Sequence, residues 1–95
     1  MNNLMSWIVY MVKCSDNSIY TGISNDLKKR LDTHAQGNGS KYVRTRLPFK
    51  LIYIENSQSR SNALKREIEI KKLTKKKKEL LVQLYNKKRR QHEQF

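Results

Sequence analysis

Many residues between positions 10 and 67 could bind an anion, hold a cation or move a proton, and five of them are distinguished by their predicted positions. They are Tyr10, Tyr20, Arg30, His34 and Glu67. Arginine matches the geometry of a phosphate, a carboxylate binds hard divalent cations, and tyrosine and histidine can transfer protons. Whether these five side chains act together depends on the helices and strands that carry them.

Glu67 is the most informative of the five. The chain has helical periodicity from about residue 61 to 73, and Glu67 falls inside the apolar arc of that helix. The arc is formed by Ala63, Leu64, Ile68 and Ile70. A buried charge is costly unless it is paired or binds a metal. Glu67 is therefore expected either to hold a metal or to pair with Lys71, four residues further along the helix.

The two tyrosines are predicted to lie on one face of a β-hairpin. Its strands flank Asp16-Asn17, residue types that tolerate the positive φ angles of a tight turn. In that hairpin Tyr10 and Tyr20 are directly or diagonally opposite. They form either a packed aromatic pair or a pair of converging phenol groups.

Arg30 and His34 lie one turn apart on the next predicted element, a helix. The apolar side of that helix is predicted to consist of Leu27, Leu31 and Ala35. Arg30 and His34 are at its edge, where a side chain can reach into a cleft between helix and sheet. The alternative is a solvated charge for Arg30 and a boundary position for His34.

The order and spacing of these residues resemble a known domain. The chain is similar to the GIY-YIG nuclease domain, and most similar to its small stand-alone bacterial members, over roughly residues 6 to 82. The segments that carry the resemblance are Ile8-Val9-Tyr10, Tyr20-Thr21-Gly22, Arg30, His34, Gly39-Ser40-Lys41-Tyr42, Leu47-Pro48 and Ala63-Leu64-Lys65-Arg66-Glu67. Many family members have Tyr where this chain has His34.

The resemblance implies a metal-dependent endonuclease that hydrolyses phosphodiester bonds with Mg²⁺ or Mn²⁺. Glu67 would hold the ion, and Arg30 would bind the scissile phosphate. Tyr10 or Tyr20 would take the proton of the attacking water, and His34 would assist. Without a separate recognition domain, little sequence specificity is expected. A structure-selective role in DNA repair or recombination stays open.

The charge of the chain indicates a polyanionic partner. Lys and Arg number 21 against 8 acidic residues, a formal net charge of +13 on 95 residues. Nucleic acid, most plausibly DNA, is the expected partner, since the basic segments lack the aromatic face of a membrane-surface helix. The residues expected to contact it are Lys41, Tyr42, Arg44, Arg46, Lys71, Lys75 and Lys76. Tyr42 lies among basic residues and is expected to contact a base.

Other features narrow the protein class. Cys14 is the only cysteine, so an internal disulfide is excluded, and we expect it to be a small buried residue. No apolar run approaches the roughly 20 residues of a membrane span, and residues 1–5 do not resemble a signal peptide. We therefore expect a cytoplasmic protein that does not bind membranes. The oligomeric state stays open, with a monomer favoured.

The predicted fold class is α+β, with a small three-stranded antiparallel sheet flanked by three or more helices. The strands are predicted at residues 6–13, 18–23 and 49–55, and the helices at about 26–36, 61–73 and 75–86. A short helical turn is expected near residues 41–44. One domain would span residues 1–86, followed by a frayed basic tail at 87–95. The last helix is predicted to bury one apolar stripe, formed by Leu80, Leu81, Leu84 and Tyr85.

Two functions without catalysis compete with the nuclease. One is a basic module that binds DNA or RNA on the same fold, and the other is an accessory protein bound to ribosomal RNA. Glu67 discriminates them from an enzyme, because neither needs a carboxylate inside an apolar arc. Glu67 is expected to join the other four residues only if its helix packs beside the first helix on the tyrosine-bearing side of the sheet.

Overall fold

A computed structural model describes residues 6 to 93 of the chain. These residues fold into three strands and four helices. The elements are β1 (Trp7–Cys14), β2 (Ile19–Ser24), α1 (Leu27–Ala35), α2 (Lys41–Arg44), β3 (Phe49–Ser57), α3 (Arg60–Lys71) and α4 (Lys75–Glu93). The α+β class and the small antiparallel sheet predicted from sequence are confirmed.

The sheet has the strand order β2-β1-β3, so β1 is central. Its two-sided apolar pattern is explained by this position, because both faces of a central strand are covered. The β1–β2 turn is closed by Asn17 at φ 74° and by the Asp16 carboxylate, which accepts a hydrogen bond from the Ser18 amide at 3.0 Å. The register pairs Tyr10 with Gly22, which places Tyr10 and Tyr20 diagonally on one face.

Each face of the sheet has its own apolar cluster and its own helices. Val9 and Met11 pack with Ala63 and Ile70 of α3 and with residues of α4. On the other face, which we call the tyrosine face, Tyr10, Val12 and Tyr20 pack with α1 and α2. The sequence argument required the helix that bears Glu67 to pack beside α1 on the tyrosine face. Helix α3 packs on the opposite face, so that requirement is not met.

Three helix faces differ from their predicted orientation. In α1, His34 is fully buried and Ala35 is exposed, so His34 is at the centre of the buried side and not at its edge. In α3, Ile68 is 53% exposed; in α4, Leu80 and Leu84 are 52% and 58% exposed. Each helix covers the sheet with a narrow arc, and positions 100° from its centre remain in solvent. Leu81, Val82 and Tyr85 form the arc that α4 buries.

Helix α4 continues to Glu93, seven residues beyond its predicted end. The basic residues at 87–90 are therefore helical, and the prediction of a frayed segment there is wrong; residues 94 and 95 are outside the described part of the chain. Lysine and arginine are good helix formers, and extending an anchored helix is far easier than nucleating one. Their charges also interact favourably with the negative end of the helix dipole.

Cys14 is buried, and burial raises the pKa of its thiol, as expected of a packing residue. Within residues 6–93, no helix combines the length and apolar character needed to cross a membrane.

The first testable prediction concerns the core between α3 and the sheet. Ile70→Ala should lower the free energy of unfolding by about 2–5 kcal/mol, because Ile70 is buried against β1. The matched variant Ile68→Ala removes the same atoms from an exposed site and should change it by less than about 0.5 kcal/mol. Urea unfolding of both variants measures the difference, and equal losses would contradict this placement of α3.

Candidate active site

The floor of the candidate site is a hydrogen bond between Tyr10 and His34. The Tyr10 hydroxyl lies 2.8 Å from His34 Nε2, and both side chains are 0% exposed. Tyr10 projects from the central strand, and α1 covers it with His34. Helix α1 begins where the Asp26 carboxylate accepts a hydrogen bond from the Lys29 amide at 3.1 Å, which fixes the start of the helix.

Two glycines make room for this pair. A Cβ atom on Gly22 would lie 2.6 Å from the Tyr10 hydroxyl oxygen, so the strand beside Tyr10 must lack a side chain there. A Cβ atom on Gly39 would collide with Nδ1 of His34. Phe49 completes the enclosure, with its ring 6.0 Å from the imidazole in an edge-on arrangement.

The enclosure keeps the pair neutral. Burial lowers the pKa of His34, and the nearby charge of Arg30 lowers it further. Burial raises the pKa of Tyr10, while the Arg30 guanidinium opposes that rise. Nδ1 of His34 has no hydrogen-bond partner among the described residues, so the ring is oriented by one hydrogen bond, at Nε2. At neutral pH the pair is therefore a phenol and an unprotonated imidazole.

Tyr20 forms the wall above this floor. Its ring centroid lies 6.4 Å from that of Tyr10 and 5.7 Å from that of His34. On its outer side it stacks on Tyr42, with centroids 5.9 Å apart and an angle of 26°. The three aromatic residues of the predicted site, Tyr10, Tyr20 and His34, therefore form one cluster.

Tyr42 lies between Tyr20 and Arg46. Arg46 lies 3.9 Å from the Tyr42 ring centroid, and the guanidinium cannot fit between two rings that are 5.9 Å apart. It therefore lies on the side opposite Tyr20, where it forms an ion pair with Asp16 at 3.0 Å. Tyr42 remains 37% exposed, so its contact with a base stays a prediction.

Arg30 is half-buried on α1. The Tyr10 hydroxyl raises the pKa of Arg30, and Tyr20 raises it further. A guanidinium at this position is a fixed positive charge beside two hydroxyl groups. Such an arrangement can bind a phosphate and stabilise added negative charge on it.

Glu67 reaches the site around an edge of the sheet. β2 is an edge strand, and α3 packs against it from the face opposite the tyrosines. The Glu67 side chain is 15% exposed and pairs with Lys71, whose Nζ lies 3.2 Å from Glu67 Oε2. The same Nζ lies 6.0 Å from the Tyr20 ring centroid, and the Glu67 charge raises the pKa of Tyr10. Lys71, the partner of Glu67, thus lies beside Tyr20 at the border of the site. The prediction that Glu67 itself joins the other four residues in one groove stays a prediction.

A single carboxylate fits only one kind of metal site. Among residues 6–93, no group of three His, Cys, Asp or Glu side chains could hold a metal ion. Mg²⁺ usually keeps several waters and binds proteins through one or two carboxylates together with substrate phosphates. The donor set here fits such a site, in which Glu67 supplies one ligand and the nucleic acid would supply others.

The residues expected to contact nucleic acid divide into two groups. Lys41, Arg44, Lys75 and Lys76 are exposed, and nothing in the fold prevents a phosphate from reaching them. Arg46 and Lys71 are engaged in ion pairs with Asp16 and Glu67. The signal that sequence reasoning overlooked is Gly39, whose missing side chain marks the place where His34 is seated.

Comparisons with known proteins identify the family of the chain. A model of the GIY-YIG catalytic domain matches residues 6–80. The chain is 49% identical over 74 residues to the UPF0213 protein YazA of Bacillus subtilis, covering 78% of this chain and 75% of YazA. It is 48% identical over 77 residues to a UPF0213 protein of Staphylococcus aureus, covering 81% of this chain and 94% of the relative.

Two solved structures share the fold. The solution structure of a UPF0213 protein from Bacillus halodurans superposes with a TM-score of 0.55 at 42% identity, covering 84% of this chain and 85% of that one. A solution structure of a protein from E. faecalis gives a TM-score of 0.62 at 36% identity, covering 90% and 92%.

The second prediction concerns the seat of His34. Gly39→Ala should displace the imidazole toward solvent, because the new Cβ cannot coexist with Nδ1. Loss of burial should raise the His34 pKa toward its ordinary value of about 6.5, and overpacking should cost about 1–3 kcal/mol of stability. An NMR titration of the His34 ring protons measures the pKa.

Gly37→Asn provides the control for that measurement. Gly37 has φ +81°, which asparagine tolerates, and an added Cβ there would meet only Arg44 Cγ at 3.9 Å. The His34 pKa should stay low in this variant. A low His34 pKa in Gly39→Ala as well would contradict the proposed packing.

Proposed function

This chain belongs to the GIY-YIG family, and we propose that it is a divalent-metal-dependent endonuclease that hydrolyses DNA phosphodiester bonds with little sequence specificity. The observation that carries the proposal is the 2.8 Å contact between Tyr10 and a buried, neutral His34 beside Arg30. A purely structural aromatic cluster does not need an imidazole whose second nitrogen is left without a partner among the described residues. A proton-transfer site needs a neutral base within hydrogen-bond reach of the group it deprotonates.

We assign the general base to the Tyr10–His34 pair, which selects Tyr10 over Tyr20. The water gives a proton to the Tyr10 oxygen while the proton of Tyr10 passes to His34 Nε2. The resulting hydroxide attacks phosphorus, and the departing sugar oxygen takes a proton from solvent. His34 must be unprotonated on Nε2 beforehand, with its proton on Nδ1. Activity should therefore fall as the pH drops through the lowered His34 pKa, below about 6.5.

The proposed chemistry requires substrate binding to open Tyr10 to water, because its side chain is buried in the free protein. The charge of Arg30 acts on the Tyr10 hydroxyl. We infer that a substrate phosphate draws the guanidinium toward itself and so helps to open the site. Arg30 then neutralises the charge that develops on the phosphate in the transition state.

Glu67 would hold Mg²⁺ or Mn²⁺, an ion that polarises the phosphate and stabilises the leaving oxygen when bound. The carboxylate is largely enclosed, so its position is set by α3 and by the edge of the sheet. Its charge reaches Tyr10, which keeps the ligand and the base within one electrostatic environment.

We propose DNA as the substrate, within the class of polyanions that the charge of the chain attracts. A net charge of +13 attracts a polyanion without regard to sequence, and no separate recognition domain lies within residues 6–93. We infer that the protein acts as a monomer in the cytoplasm and selects DNA by structure, as expected in repair or recombination.

A second candidate is a module that binds nucleic acid on this scaffold without cutting it. The ion pair between Glu67 and Lys71 favours it, because the carboxylate already has a partner. The position of Lys71 opposes it, since the alternative required Glu67 to be remote from both tyrosines, whereas its partner Lys71 lies 6.0 Å from the Tyr20 ring centroid. A ribosomal-RNA accessory protein gains no specific support from the geometry.

The third prediction tests cleavage. Branched, nicked, linear and single-stranded DNA, and RNA, are incubated with the protein in Mg²⁺ or EDTA. The wild type should cut DNA in Mg²⁺ only, and Tyr10→Phe and Glu67→Gln should each lower the cleavage rate by about 10²-fold or more. Binding, measured by fluorescence anisotropy, should stay within about threefold in both variants.

Tyr20→Phe is the matched control for the base, since it removes the same oxygen from the other tyrosine. It should lower the rate by less than Tyr10→Phe. If Tyr20→Phe lowers the rate more than Tyr10→Phe, Tyr20 and not Tyr10 is the general base. A wild type that binds nucleic acid, cuts none of these substrates and equals Glu67→Gln would leave the binding module as the function.

The fourth prediction separates affinity from chemistry. Lys75 to Lys78 form the first turn of α4. Three residues separate them from the end of α3, the helix that carries Glu67. Replacing these four with Gln should weaken DNA binding and flatten its salt dependence through lost counterion release. The cleavage rate at saturating DNA should hardly change, because charge away from the scissile bond stabilises ground and transition states alike.

The control removes four charges from the other end of the same helix. Residues 87–90 are twelve positions further along, roughly 18 Å at 1.5 Å per residue. Changing them to Gln should weaken binding less than the change at 75–78. Equal losses would indicate attraction by net charge without a preferred DNA path past α3.

A further inference from the structure

The Lys71 side chain forms an ion pair with Glu67, the one carboxylate that the proposed chemistry needs. Its Nζ lies 3.2 Å from Glu67 Oε2 and 6.0 Å from the Tyr20 ring centroid. The two side chains differ in mobility: Lys71 is 51% exposed on the last turn of α3, whereas Glu67 is only 15% exposed. One partner of the pair is therefore free to leave and the other is held.

We propose that Lys71 is a resident counter-ion of Glu67, which a divalent cation displaces, and that the released ammonium then binds a phosphate of the nucleic acid. This inference rests on the proposed function and adds a coupling to it: metal binding frees a phosphate ligand, and phosphate binding removes a competitor of the metal.

The charge balance at Glu67 supports the displacement. One carboxylate carries one negative charge and cannot neutralise both an ammonium and a divalent cation. The two cations repel each other strongly at contact distance in a partly enclosed site. Glu67 is the one acidic residue of the five-residue site, so the site offers a displaced Lys71 no second carboxylate. Arg30 adds a further positive charge beside the tyrosines.

The geometry of the helix supports the second half of the proposal. Glu67 and Lys71 are four residues apart, so their Cα atoms lie about one turn from each other on the same face. When displaced, Lys71 stays at the end of α3 beside Tyr20, on the border of the site. Its flexible stem and three donors suit a phosphate oxygen. Thermodynamic linkage then requires the two binding events to strengthen each other equally.

The first test measures metal binding without activity. Mn²⁺ is titrated into ¹⁵N-labelled protein without DNA, and the broadening of amide signals on α3 is followed by NMR. Lys71→Gln should bind Mn²⁺ about two- to fivefold more tightly than the wild type, the range in which an exposed ion pair contributes. Lys72→Gln is the control. It removes the same charge at the next residue, whose side chain is exposed and does not take part in the ion pair with Glu67. Its affinity for Mn²⁺ should increase clearly less than that of Lys71→Gln.

The second test measures the coupling. All proteins carry Tyr10→Phe to prevent turnover, and the affinity for a nicked duplex is measured by anisotropy with and without Mn²⁺. Mn²⁺ should tighten binding less in Lys71→Gln than in the parent. In Lys72→Gln the affinity should drop about equally under both conditions, so the enhancement by Mn²⁺ is unchanged.

The outcomes distinguish the two proposals. Equal Mn²⁺ affinities and equal enhancements in Lys71→Gln and Lys72→Gln overturn the displacement while leaving the metal role of Glu67 intact. Broadening that persists in Glu67→Gln, or is absent from α3 even when DNA is present, overturns the metal role itself. The predicted gain in Lys71→Gln together with its reduced enhancement supports the displacement.

Discussion

The burial of one polar pair governs most of the structure. Tyr10 and His34 are both removed from solvent, and burial of the hydroxyl and of His34 Nε2 is tolerated because each is the hydrogen-bond partner of the other. That requirement fixes the rotation of α1, because His34 must face the central strand. It also fixes two backbone positions, since Gly22 and Gly39 cannot carry a side chain beside this pair. The chemistry of the site and the packing of the tyrosine face are therefore one constraint.

The narrow sheet is what allows opposite faces to contribute to one site. With three strands, β2 is next to the central strand and is also an edge. Helix α3 packs on the face opposite the tyrosines, yet its Glu67 and Lys71 come close to Tyr20 at that edge. A wider sheet would separate these groups by one strand spacing of about 4.8 Å for each added strand. The small domain thereby avoids placing a carboxylate inside the apolar cluster of either face.

The fold was largely predictable because its signals are local. The alternation of β1, the Asp16-Asn17 turn and the helical periods each depend on neighbouring residues, and they predicted three strands and the major helices. Helix orientation was less predictable. Ala35 and His34 are consecutive and lie 100° apart around the helix, and only the partner Tyr10 decides which of them faces the sheet. On α4, hydropathy favours Leu84, whereas the helix buries Val82 on a different side.

The surroundings of Glu67 follow from a further conflict that sequence alone does not resolve. A net charge of +13 draws a polyanion to the surface, but the same field repels a divalent cation from the free protein. A lone carboxylate in that field is stabilised by the nearest ammonium, which is Lys71. Bound nucleic acid reverses the sign of the local potential, since its phosphates neutralise the lysines and add oxygen ligands. The physical consequence is reciprocal: if Glu67 holds the ion as proposed, the polyanion and the metal each favour the binding of the other, and the ion is held more tightly where there is a phosphodiester to polarise.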